Sequence, residues 1–245
     1  VGLTLDKDIV IHAIWLDSRD GSQGLRYSKS SDFGKTWKKN KTIQAKTCEC
    51  CWSALYQLPD GSMNALYRGK DPRDMRLSSS SDRGKTWRNK STVGKFDWDF
   101  KGCPHNGGTI TWNKSKKDNN IYSIVWTGKE NKEGIYVLSS KDLGLNWSAP
   151  VLVEGKTAQH PDLALTDKGI VAVWDGNSDG RNRGIFYSYS KDNGVSWSKK
   201  SQLSFDGESA PSHPRIIESN GKIVTFWTAK SEDKYLFRKK VITIE

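Results

Sequence analysis

A turn pattern that occurs four times constrains the fold of this chain more than any other feature of its sequence. Each copy reads Ser-x-Asp-x-Gly-x-x-Trp, and the copies begin at Ser30, Ser80, Ser140 and Ser190. Their aspartates are separated by 50, 60 and 50 residues. Self-similarity at a period of roughly 20–50 residues is typical of repeat folds, in which similar units stack into a continuous core. We therefore expect a repeat architecture.

Each copy of the pattern predicts a tight hairpin. An aspartate accepts hydrogen bonds from nearby backbone N–H groups, and the glycine supplies a positive φ. The tryptophan that ends the pattern then covers the turn. This reasoning assigns a structural role to the four aspartates, Asp32, Asp82, Asp142 and Asp192.

Strand patterns with a period of two precede the turns, for example in residues 170–174 and 185–190. The pair His160-Pro161 upstream of the first of these strands recurs as His213-Pro214, which adds a fifth unit without the turn. The content of 11 Trp, 8 Tyr and 7 Phe suits a core built from short strands. The sequence thus predicts a single all-β domain, 1–245, with units at 1–45, 46–96, 97–153, 154–208 and 209–245.

The four turns resemble the Asp-box, or BNR, repeat of sialidases and related proteins. The resemblance implies a β-propeller of five recognisable four-stranded blades, or of six if a blade lies upstream of Val1. In that family the boxes join the third and fourth strands of a blade, away from the active site. Function is therefore expected where the inner strands begin, around the central axis.

The second unit departs from the sialidase pattern at the expected substrate-binding positions. In the alignment that the resemblance suggests, Cys51 replaces the arginine that would grip the substrate carboxylate, and Arg68 and Lys70 take the places of a glutamate and a second arginine. Asp71 and Asp74 are the candidates for the catalytic acid. Without the arginines, we expect no sialidase activity.

The four cysteines lie in two clusters, Cys48, Cys50 and Cys51 in one and Cys103 in the other. The Cys-x-Cys-Cys segment resembles that of a subgroup of bacterial secreted Asp-box proteins. An even number of cysteines in an exported class of protein predicts two disulfides and an extracytoplasmic location. A bridge from Cys50 or Cys51 to Cys103 is expected, and the pair Cys51–Cys103 is the one that the repeat register favours. Four cysteines allow three connectivities.

The charge of the chain points to an anionic partner. Lys and Arg outnumber Asp and Glu by 39 to 28, a net charge of +11, which concentrates anions near the surface. No zinc-finger, RNA-recognition or helix-turn-helix pattern accompanies this charge, which argues against nucleic acid. No apolar run approaches the roughly 20 residues of a transmembrane helix. The candidate ligand-binding residues are Arg68, Arg73, His105, His160 and His213.

A metal site is the competing interpretation of the residues at the unit entrances. Cys51, Cys103, His160 and His213 occupy comparable repeat positions, and thiolates with imidazoles suit copper or zinc. No other cofactor is expected. Three functions therefore remain open: an exported propeller without sialidase activity that binds an anionic glycan or a partner protein, a glycoside hydrolase of the sialidase type, and a copper or zinc protein.

Overall fold

The structure, a computed structural model, describes residues 1–113, 119–177, 183–205, 208–232 and 234–244. Within these residues the chain forms 19 strands and no helix. Accordingly, the described part contains no helix of the length and apolarity that a membrane span needs.

The strands form five sheets, and in each sheet the neighbours follow the order of the chain. The first sheet contains β1 (Gly2–Leu5), β2 (Ile11–Asp17), β3 (Gly24–Ser30) and β4 (Lys41–Gln44). The second contains β5 (Ala54–Gln57), β6 (Met63–Arg68), β7 (Met75–Ser80) and β8 (Arg88–Val93). The third contains β9 (Gly108–Trp112), β10 (Ile121–Thr127), β11 (Gly134–Ser140) and β12 (Val151–Glu154). The fourth contains β13 (Gln159–Thr166), β14 (Gly169–Asn177), β15 (Arg183–Ser190) and β16 (Ser201–Gln202), and the fifth contains β17 (Ser209–Ser219), β18 (Lys222–Ser231) and β19 (Lys234–Ile242).

The predicted all-β class with five repeated units is confirmed. Each sheet lies within one predicted unit, except that β12 ends at Glu154, one residue past the expected limit. Four sheets have the expected four strands, whereas the fifth has three within the described residues. The fifth unit is also the one without the turn pattern, which in the other units joins the third strand to the fourth.

The contacts of the chain divide it into two compact units, which we describe separately. Unit 1 comprises Val1–Gly108, Lys116–Asn120 and Ser140–Trp147. Unit 2 comprises Thr109–Ser115, Ile121–Ser139 and Ser148–Glu245. The expectation of a single domain over 1–245 stays a prediction.

Each unit has an apolar core built on the second strands of its sheets. In unit 1, β6 is buried on both faces, and Met63, Ala65 and Tyr67 pack against Tyr27 of β3. In unit 2, the two faces of β14 contribute to two clusters, one with Val171 and Val173 and the other with Trp174. Burying each large apolar side chain of this kind stabilises the fold by about 1.5–3 kcal/mol.

The four turns contain the hydrogen bonds expected of them. In the second turn, Asp82 Oδ1 accepts from the backbone N–H of Thr86 at 2.8 Å, and Asp82 Oδ2 accepts from the Thr86 hydroxyl at 2.6 Å. The Ser80 hydroxyl oxygen accepts from the N–H of Gly84 at 2.8 Å, and Gly84 has a φ of +79°. Equivalent bonds close the other turns around their aspartates, Asp32, Asp142 and Asp192.

The same bonds stabilise the charged form of these aspartates. Hydrogen bonds from the residue four positions later are the largest cause, and they lower the pKa of Asp32, Asp142 and Asp192 to about 2. The pKa of Asp82 is lowered in the same direction by its bonds to Thr86. The turns are therefore held by ionised side chains that bond within their own hairpins.

Candidate functional site

The chemically active side chains lie at the sheet edge opposite the turns. In the second sheet, Met63 at the start of β6 pairs with Ser80 beside the turn, whereas Arg68 pairs with Met75 at the other end. In the fourth sheet, Asp175 lies near the end of β14, again remote from its turn. Arg68 and Asp175 occupy the same repeat position, since each precedes a glycine at the end of a second strand.

Arg68 of unit 1 is enclosed by protein groups. Its side chain is among the largest fully buried ones, with the residue 2% exposed. Nε donates to the carbonyl of Asn106 at 3.0 Å, and Nη1 donates to the carbonyl of Arg73 at 2.5 Å. The guanidinium also lies 5.5 Å from the ring centre of Trp98. Burial lowers the pKa of Arg68 to about 9, so the side chain is still protonated at neutral pH.

Arg73 is buried as well and bonds to two neighbouring segments. Its Nε donates to the carbonyl of Phe100 at 3.0 Å, and its Nη1 pairs with Glu49 Oε2 at 2.9 Å. Lys70 binds the other oxygen of Glu49 at 2.8 Å. The Lys70 bond is the largest cause that lowers the pKa of Glu49 to about 2. Both guanidinium groups therefore bond to protein groups, and the ligand-binding role expected of Arg68 and Arg73 stays a prediction.

The two candidate catalytic acids differ in their surroundings. Asp74 is buried, and its carboxylate accepts the backbone N–H groups of Phe96, Asp97 and Trp98 at 2.9–3.4 Å. Burial raises the pKa of Asp74. Asp71 is exposed, and its carbonyl accepts from Arg76. Asp74 therefore holds the loop of residues 96–98 in place. A catalytic role for Asp71 or Asp74 stays a prediction.

Two disulfides lie in the loops that precede β5 and β9. Cys48 bonds to Cys51, and Cys50 bonds to Cys103, so the expected pair Cys51–Cys103 is wrong while the alternative Cys50–Cys103 is present. The register argument placed Cys51 at the strand entrance correctly, but Cys51 turns back to Cys48 within the same loop. His105, exposed and with a φ of +56°, lies with Nε2 3.8 Å from Cys50 Sγ.

In unit 2, the corresponding edge is shaped by two strained histidines. His160 and His213 have φ values of +48° and +57°, a region that residues with a Cβ rarely adopt, and each precedes a proline. The pairing of β13 with β14 shifts between Gln159 and Asp162, and that of β17 with β18 shifts between Ser212 and Arg215. Such bulges re-aim side chains and are frequent beside active sites.

A buried carboxylate connects these histidines. Asp175 is 0% exposed, and both its oxygens lie 3.0 Å from His160 Nδ1. Oδ2 also accepts the backbone N–H of His213 at 2.8 Å, and Oδ1 accepts from Arg183 Nη2 at 3.3 Å. We call His160, Asp175, Arg183 and His213 the histidine site. The bond to Asp175 orients the His160 ring and leaves Nε2 as its second polar atom.

The two imidazole rings stack, with their centres 4.0 Å apart and their planes at 27°. Burial is the largest cause that lowers the pKa of His213, followed by the nearby His160. Arg183 and Arg215 lower it further. His213 is therefore neutral at pH 7, and a neutral imidazole has one N–H donor and one acceptor nitrogen.

Arg215 lies beside a second buried carboxylate. Its Nη1 is 3.7 Å from Asp162 Oδ2, which also accepts the backbone N–H of Ile216 at 3.1 Å. Burial raises the pKa of Asp162. The side chains of Arg183 and Arg215 are 39% and 51% exposed. The site thus presents partly exposed cations next to buried acids.

The predicted metal set of Cys51, Cys103, His160 and His213 lacks its thiolates, because both cysteines are in disulfides. Within the described residues, His160, Asp175 and His213 form a smaller group whose ligand atoms lie within 4.8 Å of one another. Asp175 already accepts from three donors there, and the Arg183 guanidinium opposes a second cation. Copper or zinc as a cofactor of this chain stays a prediction.

The sequence interpretation missed Asp175 and Arg183, which organise the histidine site. Asp175 carries a signal that the repeat contains, because Asp175-Gly176 aligns with Arg68-Gly69. Arg183 carries no comparable signal, since it begins β15 after a polar stretch.

Comparisons with known proteins place this arrangement in a fold class. No protein-family model matches the chain, and a search of curated proteins finds no match either. Solved structures do match. An α-L-arabinanase from Penicillium chrysogenum, complexed with arabinobiose, is 17% identical over 93% of this chain and 76% of its own, with a TM-score of 0.66.

Two further structures extend the comparison. A protein from Dyadobacter fermentans is 17% identical over 98% of this chain and 77% of its own, with a TM-score of 0.68. The NanB sialidase of Streptococcus pneumoniae is 14% identical over 97% of this chain and 43% of its own, with a TM-score of 0.60. At these identities the similarity concerns the fold. The chain has a β-propeller fold like that of sialidases and arabinanases.

Proposed function

We propose that the chain is an exported Asp-box propeller protein without sialidase activity, and that it binds an anionic glycan through the histidine site. The favoured ligand is a sugar that carries a carboxylate. The observation that carries the proposal is the position of Asp175, which holds two strained histidines and one arginine at a single strand edge.

The backbone strain supports a binding role. Left-handed residues with a Cβ cost about 1–3 kcal/mol each, and they cluster at ligand sites. His160 and His213 both have this conformation, and both bond to Asp175, one through its ring and the other through its backbone. The strained backbone conformation thus helps to set the orientation of the two rings.

The exposed groups match the chemistry of an acidic sugar. Arg183 and Arg215 present guanidinium groups, which bind carboxylates through paired hydrogen bonds. The neutral ring of His213 serves sugar hydroxyls as donor or acceptor. The net charge of +11 raises the local concentration of anionic ligands.

Export is supported by the two disulfides, because such bonds persist mainly in oxidising compartments. The similarity to an α-L-arabinanase complexed with arabinobiose and to a sialidase supports a glycan as the ligand.

Calorimetric titration with glucuronic acid, N-acetylneuraminic acid and the neutral amide of each sugar tests the proposal. We expect one of the acids to bind at least tenfold more tightly than its amide. Arg183→Gln should weaken that binding at least tenfold, because it removes the positive charge and leaves a shorter, neutral polar side chain.

His105→Ala is the matched control, because His105 is the left-handed histidine at the corresponding edge of unit 1. It should bind like the wild type. Equal affinity for acid and amide, or the same loss in His105→Ala, would contradict the proposal. Binding of an acidic peptide but of neither acidic sugar would replace the glycan with a partner protein.

Glycoside hydrolysis is the second candidate function, favoured by the similarity to solved hydrolases. Glycosidases usually place two carboxylates on either side of the scissile bond. In the histidine region, Asp162 and Asp175 are both buried and both accept backbone N–H groups. We therefore expect no turnover of fluorogenic α-sialosides or α-L-arabinofuranosides above a heat-inactivated control. Turnover that Asp162→Asn or Asp175→Asn abolishes would make hydrolysis the function.

A further inference from the structure

A pocket of about 440 Å³ lies at the turn edge of unit 1. Its lining includes Lys29 of β3, Lys38 after the first turn, and Arg83 and Lys85 of the second turn. We call it the basic pocket. Its volume falls within the range of roughly 300–1,000 Å³ typical of small-molecule sites.

The second turn is held rigidly against the first sheet. Tyr27 and Lys29 both donate to the carbonyl of Arg83, from Oη at 3.4 Å and from Nζ at 2.8 Å. A Cβ on Gly84 would lie 1.9 Å from the Tyr27 hydroxyl oxygen, so the close approach requires glycine. The Arg83 guanidinium is anchored by Asp6 and Asp8, each at 2.6 Å. The wall of the pocket is therefore preformed.

The lysines of the pocket keep their charges available. Among the described residues, no carboxylate lies within ion-pair distance of Lys29, Lys38 or Lys85. Asp82 also lines the pocket, but both its oxygens accept bonds within the turn. Burial is the main cause that lowers the pKa of Lys29, and repulsion from Arg83 and Lys85 adds to it. A bound anion would relieve this repulsion.

The repeat supplies an internal comparison for this charge. The positions of the four cationic side chains occur again at the next two turns along the chain. One of the four positions is cationic at the first of these turns, and none is at the second. The aligned residues are Ser79, Arg88, Leu143 and Leu145 at the first place, and Ser139, Ser148, Asn193 and Val195 at the second. The turn geometry recurs, so the charge is a property of the basic pocket and not of the turn.

We propose that the basic pocket binds a sugar that carries a sulfate or phosphate ester. The three ammonium groups offer more donors than a single carboxylate can use, whereas the terminal oxygens of a tetrahedral sulfate or phosphate ester accept from several directions. The volume has room for the sugar ring beside the ester group. The proposal does not depend on the histidine site, which lies in unit 2.

Titration calorimetry with glucose 6-sulfate, glucose 6-phosphate, inorganic sulfate and glucose tests the proposal. We expect one of the esters to bind, and the double variant Lys38→Gln/Lys85→Gln to weaken that binding at least tenfold. Both lysines are exposed, so their replacement should leave the melting temperature unchanged. Lys29→Gln should weaken binding too, although its lost bond to Arg83 can affect the fold.

The control is Arg88→Gln, which removes a charge at the position aligned with Lys38 in the next unit. It should bind the ester like the wild type. An equal loss in Arg88→Gln, or no binding of either ester, would overturn the proposal. Inorganic sulfate that binds as tightly as the sugar ester would overturn the role of the sugar. Loss of carboxylate-sugar binding in Arg183→Gln is measured with other probes, so failures of the two proposals are distinguishable.

Discussion

Arg68 and Asp175 occupy the same repeat position in units 1 and 2, yet their surroundings differ. Arg68 is enclosed by backbone carbonyls and an aromatic ring, beside a loop held by two disulfides. Asp175 is also buried, but its partners His213 and Arg183 reach the surface. The same edge of the fold thus stabilises the structure in unit 1 and forms a candidate binding site in unit 2.

The difference depends on which groups bond to the buried guanidinium and to the buried carboxylate. A buried guanidinium bonded to carbonyls leaves few donors for a ligand, and removing it exposes unpaired acceptors. A buried carboxylate bonded to histidine and arginine side chains instead orients groups that still face solvent. Burial of a charged residue is therefore a poor guide to function until its partners are known.

Removal of the disulfides should have the largest effect on the free energy of unfolding. In the chain-entropy model, replacing Cys50 and Cys103 by serine frees a loop closed over 53 residues and lowers the free energy of unfolding by about 4 kcal/mol. Replacing Cys48 and Cys51 frees a loop closed over 3 residues and should cost about 2 kcal/mol. Urea unfolding of both double variants measures the difference.

Acidic-sugar binding provides the control for these variants. It should persist in both of them below their melting temperatures, because the histidine site belongs to unit 2. Lost binding in a folded Cys50→Ser/Cys103→Ser variant would mean that the crosslinked edge takes part in recognition.

Arg68→Gln should have the next largest effect. Its loss leaves the carbonyls of Asn106 and Arg73 without their charged donor, which we expect to cost about 2–4 kcal/mol of folding free energy. The affinity for the acidic sugar should not change. Chemical unfolding and titration calorimetry on the same sample separate the two effects, and wild-type stability with lost binding would assign Arg68 to a ligand.

Several features of the fold could be predicted because the repeat encodes them. The turn around Asp82 and the strand over 170–174 depend on local chemistry, and both occur as expected, although β14 is buried on both faces. The roles of Arg68 and Asp175 depend on distant partners, which a position in a repeat does not reveal. Likewise, the register placed Cys51 at a strand entrance, but the direction of its side chain decided the pairing with Cys48.

The pH dependence of acidic-sugar binding is a smaller effect. It should depend on His213 of unit 2 and not on unit 1. The pKa of His213 lies below its ordinary value of 6.5, so the ring gains its charge only as the pH falls below that value. A protonated His213 beside Arg183 and Arg215 should strengthen binding of a carboxylate sugar as the pH falls below 6.5, as long as the sugar, with a pKa of about 3.5, stays ionised. His213→Gln should remove this increase. An unchanged increase in that variant would assign the titration to another group.

The turns should give the smallest effect. Asp82→Ala removes a carboxylate that bonds only within its hairpin, so the melting temperature at pH 7 should fall by a few degrees without a change in acidic-sugar binding. The folded-state pKa of Asp82 is depressed, so its contribution is present above the unfolded value of 3.8 and is lost as the pH falls below it. The wild type and the variant should therefore converge in stability in strong acid. Equal stability at pH 7 would show that the carboxylate contributes nothing.

The imidazole NMR signals of the four histidines test the central claim most directly, because each unit contains two of them. His12 and His105 belong to unit 1, and His160 and His213 belong to unit 2. During titration with the acidic sugar that binds, the signals of His160 and His213 should shift and saturate with one dissociation constant. Those of His12 and His105 should stay in place. Saturable shifts of His105 with unmoved signals of His160 and His213 would contradict the account and move the binding site to the crosslinked edge of unit 1.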